Sequence, residues 1–240
     1  AQTTAITITD ANDQTPTYAA TDTTPNPAEG TTAVETNIAI TDTDTVDSNT
    51  CTLGGADAGK FSCAVTATTY TLTFQNAPDY DIPGSADGDN DYSVTVVISD
   101  GANTGATITY VVTVADANDQ TPAVTVAATY SQAEAAATTF QAFTMVDSDT
   151  AGAYGCTLGG TDAALFAKSV SGKVCTVTFA SNPNYESPAD AGGNNVYDLT
   201  IAFTDGTNAL GAQTTAITIT DANDQTPTYA ATDTTPNPAE

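Results

Sequence analysis

Acidic motifs recur in register along this chain, and they are its most concentrated source of chemistry. Asp10-Ala-Asn12-Asp13 returns as Asp116-Ala-Asn118-Asp119 and again as Asp221-Ala-Asn223-Asp224. Asp42-Thr-Asp44 returns as Asp147-Ser-Asp149, Asp79-Tyr-Asp81 as Asn184-Tyr-Glu186, Asp100-Gly as Asp205-Gly, and Glu29 is matched by Glu134. Two carboxylates about 5 Å apart repel by roughly 3 kcal/mol at an effective dielectric of ~20, so clusters of this kind splay unless a cation joins them. Calcium suits the oxygens on offer, since it takes carboxylate, amide and backbone carbonyl ligands in crowded shells. Zinc would call for His or Cys ligands, and the chain has no His. The same residues also suit Asx turns in solvated loops.

Charge narrows the possible partners further. Twenty-nine acids face only Lys60, Lys168 and Lys173, with no Arg and no His, for a net charge of −26. A surface so anionic neither neutralises phosphates nor settles on acidic lipid, which excludes nucleic acid and membrane insertion as partners of this segment. Without His or Arg, the common proton shuttle and the planar anion clamp are both missing. Asp79 and Asp81 could form a paired-carboxylate site for glycoside hydrolysis, but that chemistry needs a cleft and two distinct environments. These acids instead keep step with the Asn-Asp segments, and the chain reads as no enzyme.

The elements that must position the acids follow from the spacing. The three Asp-Ala-Asn-Asp-Gln-Thr-Pro segments lie 106 and 105 residues apart, and residues 1–29 recur letter for letter as residues 212–240, a period of 211. The chain therefore reads as a window on a longer tandem array: residues 1–13 as the last strand and linker of a preceding repeat, 14–119 and 120–224 as two repeats, and 225–240 as the start of another. Because residue 1 falls inside what is elsewhere a last strand, the lack of a leader or of a run of about twenty apolar residues says nothing on secretion.

Runs such as Tyr92-Ser-Val-Thr-Val96 and Thr107-Ile-Thr-Tyr-Val-Val-Thr-Val114 alternate apolar and polar residues with period two, the pattern of strands with one buried face. Short strands separated by Gly, Pro, Asn and Asp predict an all-β sandwich per repeat. In the first repeat strands are expected near 17–19, 33–41, 50–53, 60–65, 70–74, 92–99 and 106–114, and in the second 105 positions later.

Four cysteines fall two per repeat. Cys51 and Cys156 occupy one position, whereas Cys63 aligns with Lys168 and Cys175 with Tyr70. A hairpin turning at Thr66-Ala67 sets residue 63 opposite 70, and one turning at Ser171-Gly172 sets 168 opposite 175, so sulfur from either side reaches the same place. This predicts disulfides Cys51–Cys63 and Cys156–Cys175, each worth roughly 3 kcal/mol, and an oxidising compartment. Lys168 then stands on an inward face, its stem snorkelling at the sandwich edge.

Taken together, an Asp-x-Asn-Asp-x-x-Pro linker, an Asp-x-Asp after a strand, a Pro-Asp-Tyr-Asp loop and a strand ending in Asp-Gly resemble cadherin repeats of the bacterial or archaeal cadherin-like style, over the whole chain. The resemblance implies seven-stranded Greek-key, Ig-like sandwiches arranged as a rod, with several calcium ions at each interdomain junction. It assigns Glu29, Asp79, Asp81, Asp116, Asn118, Asp119, Asp147, Asp149 and Asp205 to the central junction. Asp10, Asn12, Asp13, Asp42, Asp44 and Asp100 go to the leading one, and Glu134, Glu186, Asp221, Asn223 and Asp224 to the trailing one. Asn184, where the first repeat has an acid, implies a weaker trailing site, and the short Asp81 puts a bidentate contact in doubt.

The function implied is a structural or adhesive extracellular fibre or cell-surface stalk whose partners are neighbouring repeats or copies of itself. The alternative is a carbohydrate-, cell- or ice-binding module of a giant adhesin, displaying Thr66, Thr68, Thr69, Thr71 and Thr73 to cell-surface glycans or ice.

Overall fold

A computed structural model describes residues 2–44, 48–136, 138–150 and 152–229; most of the segment expected to open a further repeat, 230–240, lies outside them. The chain divides into two compact units, Ala1–Asp119 with Ser148–Ala151, and Gln120–Asp147 with Gly152–Glu240. Among the described residues each unit holds seven strands and a single 3-10 turn, all the strand pairs but one being antiparallel.

In the first unit, β1 (Thr17–Tyr18), β2 (Ala33–Thr41), β5 (Thr69–Phe74) and β4 (Phe61–Val65) form one sheet in the order β1-β2-β5-β4. Against it lies β3 (Thr50–Gly54), β6 (Asp91–Ser99) and β7 (Ile108–Thr113), ordered β3-β6-β7. The chain changes sheet between β2 and β3, β3 and β4, and β5 and β6, the Greek-key pattern of a sandwich. Period-two alternation does the sorting: Tyr70, Leu72 and Phe74 of β5 and Tyr92, Val94, Val96 and Ile98 of β6 all point into one core.

The second unit has β11 (Phe166–Ser171), β12 (Val174–Phe179) and β9 (Thr139–Thr144) in one sheet, and β10 (Gly155–Gly159), β13 (Val196–Thr204), β14 (Ala209–Thr220) and β8 (Thr129–Ala133) in the other. The strand expected at 122–124 is reduced to a bridge between Ala123 and Val146. Instead β8 runs parallel to β14 from Thr129↔Ala216 to Ala133↔Thr220. The same track in the first unit carries Pro25 and Pro27, whose carbonyls accept from Thr113 and Ala115 but which have no N–H to give back. Without those donors the segment follows β7 without becoming a regular strand.

Both hairpins differ from the expected register by two residues. Thr66–Thr69 closes a four-residue turn in which the Thr66 hydroxyl accepts from the backbone N–H groups of Thr68 and Thr69, so Cys63 pairs with Leu72 and Tyr70 with Val65. In the second unit the turn falls on Gly172-Lys173, with Gly172 at φ +53°, which sets Cys175 opposite Val170 and Lys168 opposite Val177. A slip of two preserves the face of every side chain, where a slip of one would reverse it. Cys51–Cys63 and Cys156–Cys175 are therefore both bonded, with Cα atoms 6.1 and 6.3 Å apart. Lys168 is exposed, its Nζ donating to the Cys156 carbonyl.

Candidate metal centres

The acids gather where strands end. Asp42 and Asp44 follow β2, and Asp100 follows β6; one carboxylate oxygen from each lies within 4.8 Å of the others. Asp100 is shaped by its own turn, since its Oδ1 accepts from the backbone N–H of Ala102 at 2.8 Å and of Asn103 at 2.6 Å. The Asn103 hydrogen bond, helped by that from Ala102 and opposed by burial, holds Asp100 below the ordinary carboxylate range. Asn12 reaches the same place, its amide donating to the Asp100 carbonyl at 3.2 Å. In the second repeat Asp147, Asp149 and Asp205 form the matching group, and Asp205 repeats the turn with Thr207 and Asn208 as donors.

A second kind of group is organised by a glutamate at the start of each repeat. Glu29 Oε2 accepts from Tyr80 N at 2.7 Å and Oε1 from Ala117 N at 2.7 Å, which ties the Pro78–Asp81 loop to the segment leaving β7. Glu134 does the same with Tyr185 N at 2.7 Å and Ala222 N at 2.9 Å. Around these staples gather Glu29, Asp81 and Asp119 in one repeat and Glu134, Glu186 and Asp221 in the other.

The Ala222 and Tyr185 amides hold Glu134 below its ordinary range. At Glu186 its own backbone N–H pulls downward, but desolvation and the charges of Glu134, Asp224 and Asp221 together lift it above that range.

Of the predicted acidic ligands, Asp10, Asp13, Asp79, Asp116 and Asp224 fall in none of these groups. Asp79 Oδ1 accepts from Ile82 N at 3.0 Å, three residues on, and Asn184 Oδ1 accepts in the same way from Ser187 N at 2.8 Å. An amide serves there as well as a carboxylate. Asp116 Oδ2 accepts from Thr150 N, and Asp13 Oδ1 from the Gln14 side chain.

Whether the residues suit a cation can be tested on the oxygens themselves. Asp42 Oδ2, Asp81 Oδ2 and Asp116 Oδ1 are buried atoms with no hydrogen-bond partner. A buried carboxylate oxygen without a donor is costly in a folded protein, and a hard divalent ion is the chemistry that satisfies it with acids on either side. The donor set therefore fits calcium.

Other positions that brace the acidic loops escaped sequence reasoning. Asp57 is buried, and its two carboxylate oxygens accept from Ala86 N at 2.6 Å and Ser93 N at 2.8 Å. Asp162 repeats this with Ala191 N and Asp198 N, both at 2.7 Å. The repeated Leu-Gly-Gly-x-Asp at Leu53–Asp57 and Leu158–Asp162 was the available signal. Its second glycine is required twice over: Gly55 has φ +92°, and a Cβ there would meet the Ser93 carbonyl at 2.8 Å. Asn90 and Asn195 brace the acidic loops from behind, donating to the carbonyls of Tyr80 and Tyr185.

Comparison with solved structures supplies the family of folds. A human protocadherin-24 fragment of extracellular repeats 1–2 matches with TM-score 0.65 and 20% identity, over 88% of this chain and 100% of that one. Repeats 3–6 of protocadherin gammaB7, solved as a cis-dimer, match with TM-score 0.63 and 21% identity, over 90% of this chain and 53% of that one. This is the cadherin-repeat fold. Mouse protocadherin gammaC3 repeats 1–3 agree, with TM-score 0.63 and 19% identity over 89% of this chain and 70% of that one. No protein-family model and no curated protein matches the chain.

Proposed function

We propose that this chain is a segment of an extracellular, adhesive or load-bearing fibre or surface stalk, built of cadherin-like repeats that calcium stiffens. The observation that carries the reading is the recurrence, in both repeats, of the same two kinds of acid group, with buried carboxylate oxygens of Asp42, Asp81 and Asp116 left without donors. Glu29, Asp81 and Asp119, with Asp42, Asp44 and Asp100, would hold ions in the first repeat. Glu134, Glu186 and Asp221, with Asp147, Asp149 and Asp205, would do so in the second, where Asp221 takes part from the position of Asp116 and not of Asp119. Asp10, Asn12, Asp13, Asp79, Asp116, Asn118, Asn223 and Asp224 would complete the shells. Bound calcium supplies charge neutralisation and cross-linking of loops, not catalysis, and the reading assigns no reaction to the chain.

Two disulfides in so acidic a chain support an oxidising, extracellular setting. Among the described residues no helix is long and apolar enough to cross a membrane. The partners proposed are neighbouring repeats and copies of the chain. Recognition of glycans or ice by a threonine face has less support. The Thr66 hydroxyl is engaged by Thr68 and Thr69, and that of Thr71 accepts from Asn37 N at 3.1 Å, so the row is partly occupied by turn and bulge geometry.

The test is calcium stoichiometry after exhaustive dialysis, paired with thermal unfolding in calcium and in excess chelator. Several ions per chain and a lower melting temperature in chelator are expected. A chain that retains no calcium and melts at the same temperature in both solutions overturns the reading.

A further inference from the structure

Each repeat has a cavity beside its acidic loop, and the two cavities differ in charge. The first, of about 190 Å³, is lined by Lys60, Phe74, Pro78, Ile82, Gly84 and Tyr92, and Asp79 borders it. The second, of about 120 Å³, keeps the aromatic residues and the proline but has Leu165, Ser187 and Ala189 in place of Lys60, Ile82 and Gly84. Tyr92 is 3% exposed, and its ring is set edge-to-face against Phe61 and Phe74. Its hydroxyl accepts from Gly84 N at 3.0 Å, and the hydrogen it carries meets no acceptor among the described residues. Lys60 ends the 3-10 turn Ala58–Lys60, its backbone pinned by Asp57 O and Gln75 N. Of the three lysines, Lys168 and Lys173 donate to backbone carbonyls, whereas the Lys60 ammonium has no partner among the described residues of a chain with 29 acids. A Cβ on Gly84 would lie 3.3 Å from the Tyr92 hydroxyl oxygen and 3.8 Å from Lys60 Nζ. The glycine thus leaves open the space on which two unspent donors converge.

We propose that this cavity binds the carboxylate of a small monoanion with an apolar body, of the kind of a short aliphatic acid. The carboxylate sits beside Gly84 and accepts from the Tyr92 hydroxyl and Lys60 Nζ, while the hydrocarbon lies against Phe74, Pro78 and Ile82. Hydrogen bonds from an ammonium to a carboxylate are of the stronger, charge-assisted kind. The volume falls below the ~300 Å³ at which drug-sized pockets begin, so the ligand is short. Asp79 is exposed, with Oδ1 held by Ile82 N, and its charge disfavours a second negative group on the ligand. The second cavity lacks the cation and has its opening beside Tyr197 filled by the methyl of Ala189, so it serves as an internal control. Nothing in this proposal involves a divalent cation.

The experiment titrates sodium butyrate into the isotopically labelled full chain at fixed calcium and constant ionic strength, and reads backbone amide shifts by NMR. Saturable shifts are expected at Lys60 and Gly84 and none at Leu165 and Ala189, with butyramide and succinate each binding at least tenfold more weakly. Lys60→Leu and Gly84→Ala each install the residue that the second repeat already carries. Both should weaken binding at least tenfold, with the amide spectrum away from the cavity unchanged as the sign of an intact fold. The proposal is overturned if the butyrate shifts do not saturate, or if the second cavity responds alike. It is also overturned if butyramide or succinate binds as tightly as butyrate, or if either variant binds as the parent chain does. Because calcium is held constant, failure here leaves the cation reading as it was.

Discussion

The two repeats fill equivalent cores with different chemistry. In the first, the Tyr70 and Tyr110 hydroxyls meet at 2.7 Å in the middle of the sandwich, and burial pushes both phenols to a higher pKa. The positions 105 residues on hold Cys175, bonded to Cys156, and Thr215, whose hydroxyl is buried with no partner. Volume lost there returns elsewhere: Phe143, Met145 and Phe203 replace Ile38, Ile40 and Ile98. Phe140, in the place of Glu35, joins edge-to-face contacts with Tyr130, Phe143, Phe166 and Phe179. Glu35 in the first repeat is buried and accepts from Thr21 Oγ1 and Asp22 N, both at 2.7 Å. One scaffold thus accepts a polar pin or an aromatic plug at the same site. It needs the space filled, by whichever residues supply that, and at Thr215 it tolerates a buried hydroxyl without a partner.

The contrast can be broken in order of expected effect. Phe140→Ala should cost the second repeat about 3 kcal/mol or more, since four ring contacts vanish and the space at the sheet edge collapses only in part. Glu35→Ala should cost the first repeat less, about 1–3 kcal/mol, because it removes two charge-assisted hydrogen bonds and no ring packing. Chemical denaturation with a probe specific to each repeat checks both.

The disulfides should sharpen the likeness. Their sequence separations are 12 and 19, so replacing either pair by Ala should cost roughly 3 kcal/mol in the chain-entropy account, with the two repeats nearly equal. A large inequality between them would show that the different partner strands matter beyond loop length.

Smaller effects come from the central hydroxyls. Tyr110→Phe should cost about 1–2 kcal/mol by orphaning the Tyr70 hydroxyl, and the double change with Tyr70→Phe should cost less than the sum of the single ones. Thr215→Val should stabilise the second repeat by about 1 kcal/mol, a gain the first repeat cannot match by the same step. A drop in melting temperature for Thr215→Val would mean that the hydroxyl is satisfied after all.

In chelator, acidification should also separate the repeats. Asp100 titrates below its ordinary value near 3.8, so its contribution is present above that pH and lost as pH falls through its lowered pKa. Glu134 behaves alike below its ordinary 4.5. Glu186, raised above 4.5, has the opposite sign: its contribution is present below 4.5 and lost as pH rises through its raised pKa. Melting temperature against pH should therefore show the Asp100 and Glu134 contributions lost on acidification and an opposing change from Glu186, which Glu186→Gln should remove.

The hairpins show how much could be read in advance. Alternation placed the strands and the inward faces, and it made Cys51–Cys63 and Cys156–Cys175 foreseeable although the expected pairings were two residues out. The error was harmless because parity, not register, decides which face a sulfur occupies. Turn choice stayed out of reach because it depended on the Thr66 hydroxyl network in one hairpin and on Gly172 at positive φ in the other. The hydrogen bonds of Asp79 and Asn184 to the backbone three residues on were equally out of reach, because the letters alone do not show which N–H each side chain meets. Asp57 and Asp162 went unnoticed because a buried aspartate accepting two backbone donors looks, as a letter, like any solvated one.

By itself the sequence determined the periodicity of the repeats, the inward and outward faces of the strands, the pairing of the cysteines and the segments on which acids accumulate. These depend on spacing along one chain. Only the tertiary structure decided which acids share a centre and which carboxylate oxygens lack donors. Those outcomes depend on strands distant in sequence meeting across two sheets, and burial belongs to the assembled sandwich, not to the letters of any one strand.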